Sequence, residues 1–319
     1  MQTQIIEFLK KSDGYLSGEE ISKTLEMSRA AIWKHIEELR EDGYEIAAVP
    51  HLGYKLVSSP DRLFPSEIQF DLGTKILGKK IIYQETADST MDIAFDLGIN
   101  KTPEGTVVIA EGQTKGRGRL GRSWASPKGK GIYFSVILRP QLAPNETAKL
   151  TLLSAVALCE AIRNTTGLPA LIKWPNDILI HNKKVAGILT EMSAETDRVK
   201  FVVIGVGINV NAKADSLPAG ATSLRSELKK TVSRIDLTKE ILREMEKWYL
   251  HLQVKGFSTI AARWKEQSAT LNKRVKVVDP SGHIEGEAVD IDKDGGLLIR
   301  SDAGVLFKRM AGDIVQVRS

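Results

Sequence analysis

Residues 114–131 read TKGRGRLGRSWASPKGKG, and within them GRGRLG (116–121) fits the glycine pattern of a dinucleotide-binding turn. That turn needs a strand before it, a helix that opens at the third glycine, and an acidic residue about twenty residues later. Here a strand pattern, TVVIAE, precedes the glycines, but a second strand pattern, IYFSVIL, follows them. The acidic residue is absent as well. The sequence therefore predicts a glycine-rich loop between two strands and excludes a dinucleotide-binding fold at this place.

The same loop is strongly basic. Between Glu111 and Glu146 there is no Asp or Glu, whereas seven residues of this interval are Lys or Arg. They are Lys115, Arg117, Arg119, Arg122, Lys128, Lys130 and Arg139. Glycine lets the backbone approach a ligand closely, and the arginine fork binds phosphate oxygens in a bidentate manner. The loop is therefore predicted to face an anion, although a solvated loop or a nucleic-acid contact would explain its charge equally well.

The composition is that of a soluble protein with two or three domains. The chain has 319 residues, of which 42% are hydrophobic, and a net charge of +5. Residues 1–59 carry seven basic and ten acidic residues, a net charge of −3, so the basic excess lies in the rest of the chain. No apolar run approaches the roughly 20 residues of a membrane span, and no signal peptide is evident, so a cytoplasmic location without a membrane is expected. The single cysteine, Cys159, excludes a disulfide framework and a cysteine-based zinc site, and its apolar surroundings predict burial.

The first sixty residues have the pattern of a winged helix-turn-helix. Three short amphipathic helices are indicated, the second beginning with a capping box from Ser17 to Glu20 and the third running from Ser28 to Gly43. The segment YEIAAVPHLGYKLV (44–57) then alternates like a two-stranded hairpin with its turn at 50–53. Ser58, Ser59 and Pro60 mark a boundary, which predicts a first domain over residues 1–60.

Residues 64–270 mix strands and helices without a repeat, which predicts an α+β fold with a mixed sheet. The strand patterns are 80–87, 106–112, 131–140, 170–180, 184–193 and 200–210, and the helix patterns are 90–98, 145–167 and 236–253. Short polar connections between the last strands indicate that this part of the sheet is antiparallel. Residues 271–319 hold five closely spaced short strands, typical of a small β-barrel: 272–279, 283–292, 295–302, 304–310 and 313–319.

A second motif carries candidate chemistry. Lys173-Trp174-Pro175-Asn176-Asp177 predicts a strand that ends in a tight turn, and Lys184 enters the next strand in KKVAGI (183–188). A lysine at that position can project from the strand end into a cleft. A surface hairpin with a solvated lysine is the alternative interpretation.

Together these stretches resemble the biotin-protein ligase family. The resemblance rests on GQTKGRGRLGRSW (112–124), KWPNDILI (173–180), KKVAGIL (183–189) and GVGINVN (205–211), in this order after a DST at 88–90. With its N-terminal winged helix, the chain resembles the bifunctional members, which are also biotin-responsive repressors of biotin operons. The resemblance covers nearly the whole chain and implies a DNA-binding domain (1–60), a ligase domain (64–270) and an SH3-like barrel (271–319).

This resemblance implies a two-step reaction. Biotin and MgATP form biotinyl-5'-AMP and pyrophosphate, and biotin then passes to one lysine of the biotin carboxyl carrier protein of acetyl-CoA carboxylase. It also implies a homodimer that binds operator DNA with biotinyl-5'-AMP as corepressor. Mg²⁺ should bridge the ATP phosphates and keep several waters, so no dedicated protein metal site is expected. A biotin-sensing regulator without catalysis and a lipoate-protein ligase are the alternatives.

The resemblance also implies roles for individual residues. The biotin site is Ser89, Thr90, Gln113, Gly116, Arg117, Gly118, Arg119 and Lys184, and the adenylate site is Arg119, Arg122, Trp124, Lys184 and Asn209. The catalytic group is Lys184, Arg119, Arg117 and Asp177. Met91 stands where the family often has Asn, so it is assigned no polar role. Residues 113–130 and 212–222 are predicted to act as lids that exclude water from the mixed anhydride.

For DNA, the recognition helix and the wing supply the candidate contacts. These are Ser28, Arg29, Ala30, Lys34 and His35 on the helix and Lys55 on the wing. The net negative charge of this domain indicates weak binding by one copy alone, and a dimer would offset it by pairing two half-sites.

Overall fold

The computed structural model describes residues 2–279 and 282–316, and for residues 315 and 316 it describes the backbone alone. The chain divides into two compact units, Met1–Asp71 and Leu72–Ser319. The finer boundaries expected from the sequence, after residues 60 and 270, stay predictions.

The first unit is a winged helix-turn-helix, as predicted. Its elements are α1 (Gln2–Lys10), α2 (Gly18–Leu25), α3 (Arg29–Glu41), β1 (Glu45–Val49), β2 (Gly53–Ser58) and α4 (Pro65–Gln69). Ser17 caps α2 by accepting a hydrogen bond from the Glu20 N–H, and Ser28 caps α3 in the same way from Ala31. The two strands form an antiparallel hairpin. Isoleucines from all three long helices meet in one apolar core, which fixes how α3 is presented to solvent.

The second unit is built around a seven-stranded mixed sheet. Its strands are β3 (Ile81–Gln84), β4 (Val107–Ala110), β5 (Gly131–Leu138), β6 (Leu171–Lys173), β7 (Asp177–Ile180), β8 (Lys183–Ala194) and β9 (Val199–Asn209). The spatial order is β3-β4-β5-β9-β8-β7-β6. Only the pair of β3 and β4 is parallel, and every other neighbouring pair is antiparallel. The antiparallel run predicted for the last strands is confirmed.

Helices cover both faces of this sheet. They are α5 (Thr90–Ile99), α6 (Ala148–Thr166), α7 (Leu224–Leu228), α8 (Arg234–Lys255) and α9 (Ser258–Glu266). Successive residues of a strand point to opposite faces. On β8, Thr190 Oγ1 forms a hydrogen bond with Thr151 Oγ1 of α6 (2.8 Å), whereas Leu189 packs with the cluster around Met91 of α5. Helices α8 and α9 pack against α6, and on the α5 face Gly187 and Leu189 of β8 and Gly205 and Gly207 of β9 line a cavity.

The C-terminal residues form a second, five-stranded antiparallel sheet. Its strands are β10 (Lys273–Asp279), β11 (Gly282–Ile291), β12 (Leu297–Arg300), β13 (Leu306–Arg309) and β14 (Asp313–Gln316), in the order β13-β12-β11-β10-β14. These match the five predicted strands, except that residues 317–319 of the last one lie outside the described residues. Among the described helices, none has the length and apolar character needed to span a membrane.

Candidate active site

The arginine-rich loop is a β-hairpin laid over the sheet. Its arms are joined by hydrogen bonds from Gln113 N to Ser126 O (3.1 Å), from Trp124 N to Gly116 O (2.8 Å) and from Gly118 N to Arg122 O (2.7 Å). A Cβ on Gly116 would lie 2.3 Å from the Trp124 carbonyl oxygen, so only glycine allows the arms to approach this closely. The loop between two strands that the sequence predicted is therefore confirmed.

Beneath this hairpin, a cavity of about 120 Å³ opens on the α5 face of β8 and β9. Ten of the residues predicted from the sequence line it: Ser89, Thr90, Gln113, Arg117, Gly118, Arg119, Arg122, Trp124, Asp177 and Lys184. They come from four separate motifs of the chain, 88–90, 112–124, 173–180 and 183–189. The fold thus brings the separate motifs of the sequence to one place.

The inner end of the cavity carries neutral polar groups. Gln113 Oε1 accepts hydrogen bonds from the Thr90 N–H (2.8 Å) and from its hydroxyl (3.2 Å), and Gln113 Nε2 donates to Ser126 Oγ (2.9 Å). Thr90 Oγ1 lies 2.9 Å from Ser135 Oγ. Ser89 is only 1% exposed, and its Oγ has no hydrogen-bond partner among the described residues. Thr90 and Gln113 therefore form a hydrogen-bonded part of the cavity wall, and the Ser89 hydroxyl remains available to a ligand.

Met91 supplies an apolar part of the same wall. It is 3% exposed, and its sulfur lies over Gly205, where an added Cβ would come within 2.4 Å of it. The thioether is therefore a packing group, in agreement with the absence of a polar role expected from the sequence.

Arg117 is held by two carboxylates. Its guanidinium forms ion pairs with Asp92 of α5 and Glu191 of β8. An incoming anionic ligand would have to replace these partners, since a guanidinium offers a limited set of donors. Arg117 is therefore charge-neutralised in this structure.

Arg119 and Arg122 are held mainly by the C-terminal sheet. Arg119 donates to Asn176 Oδ1 (2.9 Å) and to the Gly312 carbonyl (3.2 Å), and Asp313 forms an ion pair with Arg122. Asp313 Oδ1 also lies 3.9 Å from Arg119. Burial lowers the pKa of the Arg119 guanidinium, although Asp313 and Asp177 oppose this change.

Lys184 stands at the floor of the cavity, beside an aromatic ring. Its Nζ lies 2.6 Å from Asp177 Oδ1 and 5.3 Å from the centre of the Trp124 ring. The ring itself rests on two glycines, because a Cβ on Gly207 would come within 2.5 Å of the indole nitrogen and one on Gly187 within 3.2 Å of the ring. The lysine therefore lines the cavity with a side chain that is 35% exposed, and its catalytic role stays a prediction.

Two predicted site residues do not line the cavity. Gly116 shapes the hairpin, and Asn209 Nδ2 donates to the Thr222 carbonyl (3.1 Å). Thr222 in turn donates its N–H to the Lys184 carbonyl (2.8 Å), and the Lys184 N–H donates to Gly220 O (2.9 Å). Asn209 thus ties the segment 212–222 to the strand that carries Lys184, and its contact with adenine stays a prediction.

Sequence reasoning missed the partners of the three arginines, whereas Asp177 was among the predicted catalytic residues. Asn176 stands inside a motif that was singled out, so its position beside Asp177 was a usable signal. Asp92, Glu191 and Asp313 have no local signal, because each lies far along the chain from the arginine that it contacts. Within residues 2–279 and 282–316, no three His, Cys, Asp or Glu side chains are grouped so as to hold a metal ion.

The candidate DNA contacts lie in the first unit, on α3 and β2. Arg29 and Lys34 are exposed, with ion pairs to Glu19 (2.7 Å) and Glu38 (4.0 Å), and Ala30 is exposed between them. His35 is turned away from them, since its Nδ1 lies 2.8 Å from Glu38 and the side chain is 24% exposed. The hydrogen bond from His35 lowers the pKa of the Glu38 carboxyl. The remaining two candidates are Ser28, which is the α3 cap, and Lys55, which is half-buried in β2.

Comparison with known proteins finds family models that match parts of both units. A model of the biotin/lipoate A/B protein ligase family matches residues 83–209, an HTH domain model matches residues 1–55, and a model of the biotin protein ligase C terminal domain matches residues 270–316. The bifunctional ligase/repressor BirA of Bacillus spizizenii is 43% identical over 302 residues, which are 93% of each chain. The biotin-acetyl-CoA-carboxylase ligase of Mycobacterium tuberculosis is 31% identical over 269 residues, 81% of this chain and 98% of that one.

Among solved structures, the biotin protein ligase from Aquifex aeolicus in complex with biotin and ATP superimposes with a TM-score of 0.65 and 31% identity. The match covers 76% of this chain and 100% of that chain. The 43% identity to the Bacillus spizizenii protein over 93% of this chain shows that the chain belongs to the biotin/lipoate A/B protein ligase family.

Proposed function

We propose that this protein is a biotin-protein ligase that forms biotinyl-5'-AMP from biotin and ATP and transfers biotin to a lysine of a biotin carboxyl carrier protein. Its first unit makes it a biotin-responsive repressor of biotin genes as well. One observation carries the ligase: a single cavity joins an unpartnered buried hydroxyl, at Ser89, to three arginines and a lysine. Biotin combines a neutral ureido ring with a carboxylate, and ATP adds phosphates, so both kinds of group are needed in one site.

In the first step, a biotin carboxylate oxygen attacks the α-phosphorus of ATP and pyrophosphate leaves. Two anions must be brought together, so positioned cations supply most of the stabilisation. We assign Arg117 and Lys184 to the carboxylate and the bridging oxygen, and Arg119 and Arg122 to the phosphates. Asp177 orients Lys184, which is supported by their 2.6 Å contact.

Substrate anions can take the place of the carboxylates that pair with the arginines in this structure. Substrate anions replace Asp92 and Glu191 at Arg117, and they replace Asp313 at Arg122, so each cation keeps a negative partner throughout. Such an exchange costs less than exposing an unpaired buried charge. The hairpin and segment 212–222 then cover the mixed anhydride and exclude water.

In the second step, the neutral amine of a carrier lysine attacks the acyl carbon of the adenylate. An amide bond forms, AMP leaves, and the amine loses its proton. Mg²⁺ supplies charge neutralisation to the ATP phosphates when it is bound. Asp177 and Asp313 line the cavity and offer the oxygen ligands that Mg²⁺ prefers, which suits an ion held mainly by phosphates and water.

The repressor function requires further partners. We propose a homodimer on operator DNA, with α3 in the major groove of each half-site and biotinyl-5'-AMP as corepressor. Arg29, Ala30 and Lys34 are the contacts best supported by exposure, and ATP, carrier protein and DNA together make the cytoplasm the proposed location.

The decisive test is incubation with biotin and α-labelled ATP, followed by measurement of labelled adenylate and of its transfer to a carrier-domain lysine. We expect both products with biotin and neither with lipoate. Replacing Lys184 with alanine should lower the rate of adenylate formation by about 100-fold or more, since it removes a positioned cation from the reacting oxygens.

Lys183→Ala is the matched control, because Lys183 is the exposed neighbour in the same strand. Normal adenylate formation by Lys184→Ala would remove this lysine from the mechanism. Biotin binding without any adenylate from the unaltered protein would leave a biotin-sensing regulator as the function.

A further inference from the structure

The recognition helix presents a large aromatic side chain to solvent. Trp33, in the middle of α3, is 58% exposed, whereas Ile32, Ile36 and Leu39 of the same helix are buried. The core of the first unit therefore does not need the indole. A tryptophan in that position offers about 200 Å² of rigid contact surface and one N–H donor to a partner.

The neighbours of Trp33 on the helix surface point to the partner. Residues three and four apart share a helix face, so Trp33 lies beside Arg29 and Ala30. Arg29 and Lys34 have side chains that are 69% and 74% exposed. The small Ala30 between them lets the helix backbone approach a surface closely. The face thus presents two exposed cations, Arg29 paired with Glu19 and Lys34 near Glu38, around a central aromatic group.

The distribution of charged residues along α3 favours DNA as the partner. The first half of the helix contains Arg29 and Lys34 and no acidic residue, whereas Glu37, Glu38 and Glu41 follow in the second half. Recognition helices of this class insert their N-terminal residues into the major groove. The basic half with Trp33 would enter the groove, and the acidic half would stay away from the phosphates.

We propose that Trp33 reads bases, packing its indole against thymine 5-methyl groups in the major groove of the operator. Apolar side chains recognise thymine there because its methyl group is the only apolar group on the base edges. This inference rests on the proposed repressor function and adds a specificity-determining residue to it. Contact with a second copy of the chain is the competing occupant of this face.

The test first selects duplexes from a random pool with the protein, biotin and ATP. Each thymine of the selected site is then replaced by uracil, which lacks the 5-methyl group, and affinities are compared. We expect one or two uracil positions per half-site to weaken binding by the unaltered protein about 3- to 10-fold. Trp33→Ala should bind the thymine duplex about 10-fold more weakly and lose its sensitivity to uracil at those positions.

Two comparison variants separate this role from a loss of charge or of folding. Arg29→Ala should bind more weakly on every duplex but keep the uracil sensitivity. Trp33→Phe should retain part of the uracil sensitivity, since the phenyl ring still reaches the thymine methyl groups. Thermal unfolding and adenylate formation of Trp33→Ala should equal those of the unaltered protein, because the side chain is exposed.

The outcomes are distinct. Normal affinity and normal uracil sensitivity in Trp33→Ala would overturn the proposal. So would loss of self-association in sedimentation without a change in uracil sensitivity, which would assign the face to a second copy. If the unaltered protein enriches no duplex, the repressor function itself fails, and this inference fails with it.

Discussion

At the scale of single residues, two buried polar atoms of the proposed ligand site lack a hydrogen-bond partner among the described residues. They are Ser89 Oγ and Trp124 Nε1, both at the cavity wall. Such a group costs about 1–3 kcal/mol when it is left unpaired. In the proposed function a bound ligand supplies the partner and offsets this cost, so we assign both atoms to binding.

Replacing Ser89 with alanine should therefore weaken biotin binding about 10-fold without lowering the free energy of unfolding, because no intramolecular hydrogen bond is lost. Isothermal titration with biotin and urea unfolding measure the two quantities. Ser154→Ala is the matched control, since Ser154 is also buried but donates to Leu150 O, away from the cavity. Equal biotin affinities for Ser89→Ala and the unaltered protein would exclude the Ser89 hydroxyl from the binding site.

At the scale of elements, the hairpin over the cavity is anchored by a buried ion pair. Arg234, the first residue of α8, lies 2.7 Å from Glu111, and both side chains are at most 3% exposed. The same guanidinium donates to the carbonyl of Gly131 (3.3 Å). Glu111 follows β4 and Gly131 begins β5, so Arg234 joins the two stems from which the hairpin projects.

Glu111→Gln should cost about 3–5 kcal/mol of unfolding free energy, because it removes the carboxylate charge that lies 2.7 Å from the buried Arg234 guanidinium. It should also raise the Michaelis constant for ATP, since the hairpin stems lose their common anchor. The exposed pair of Lys128 and Glu85 at the same stems serves as the control. Glu85→Gln should cost less than about 1 kcal/mol, and a cost equal to that of Glu111→Gln would refute the anchoring role.

At the scale of the whole molecule, one carboxylate joins the helices behind the sheet. Glu160 of α6 accepts hydrogen bonds from Trp248 Nε1 of α8 (2.9 Å) and from Arg263 Nε of α9 (2.6 Å). Burial alone would raise its pKa, but the bonds from Arg263 and Trp248 and the charge of Lys247 lower the pKa of Glu160 to about 2. The ionised form therefore stabilises the packing of three helices.

A carboxyl whose pKa is lower in the folded protein adds stability above its unfolded pKa of about 4.5, and that stability is lost as the pH falls toward 2. Glu160→Gln should thus lower the unfolding free energy by about 1–3 kcal/mol at pH 7, and the difference from the unaltered protein should shrink progressively below pH 4.5, to roughly half near pH 3. Thermal or urea unfolding across this range measures the effect. A difference that stays constant from pH 7 to pH 3 would show that the charge of Glu160 is not what stabilises the helices.

Much of the fold and part of the site follow from local patterns. The glycine-rich loop between two strands and the succession of strands along the chain were predicted because glycine and strand periodicity act over a few neighbouring residues. The winged helix was predicted from two serine caps and one alternating segment for the same reason. The site roles of Arg117, Arg119 and Lys184 came from the resemblance to the biotin-protein ligase family.

Only the tertiary structure decided which groups the cations meet. Asp313 reaches Arg122 across 191 residues, and Glu191 reaches Arg117 across 74, so no local pattern could pair them. The same holds for the orientation of His35, which the core beneath α3 turns away from Arg29. By itself, the sequence indicated ten of the residues that line the cavity and how the chain pairs locally. Their ionic partners and the unpaired Ser89 hydroxyl follow from long-range packing, which brings distant segments into contact only once the sheet has formed.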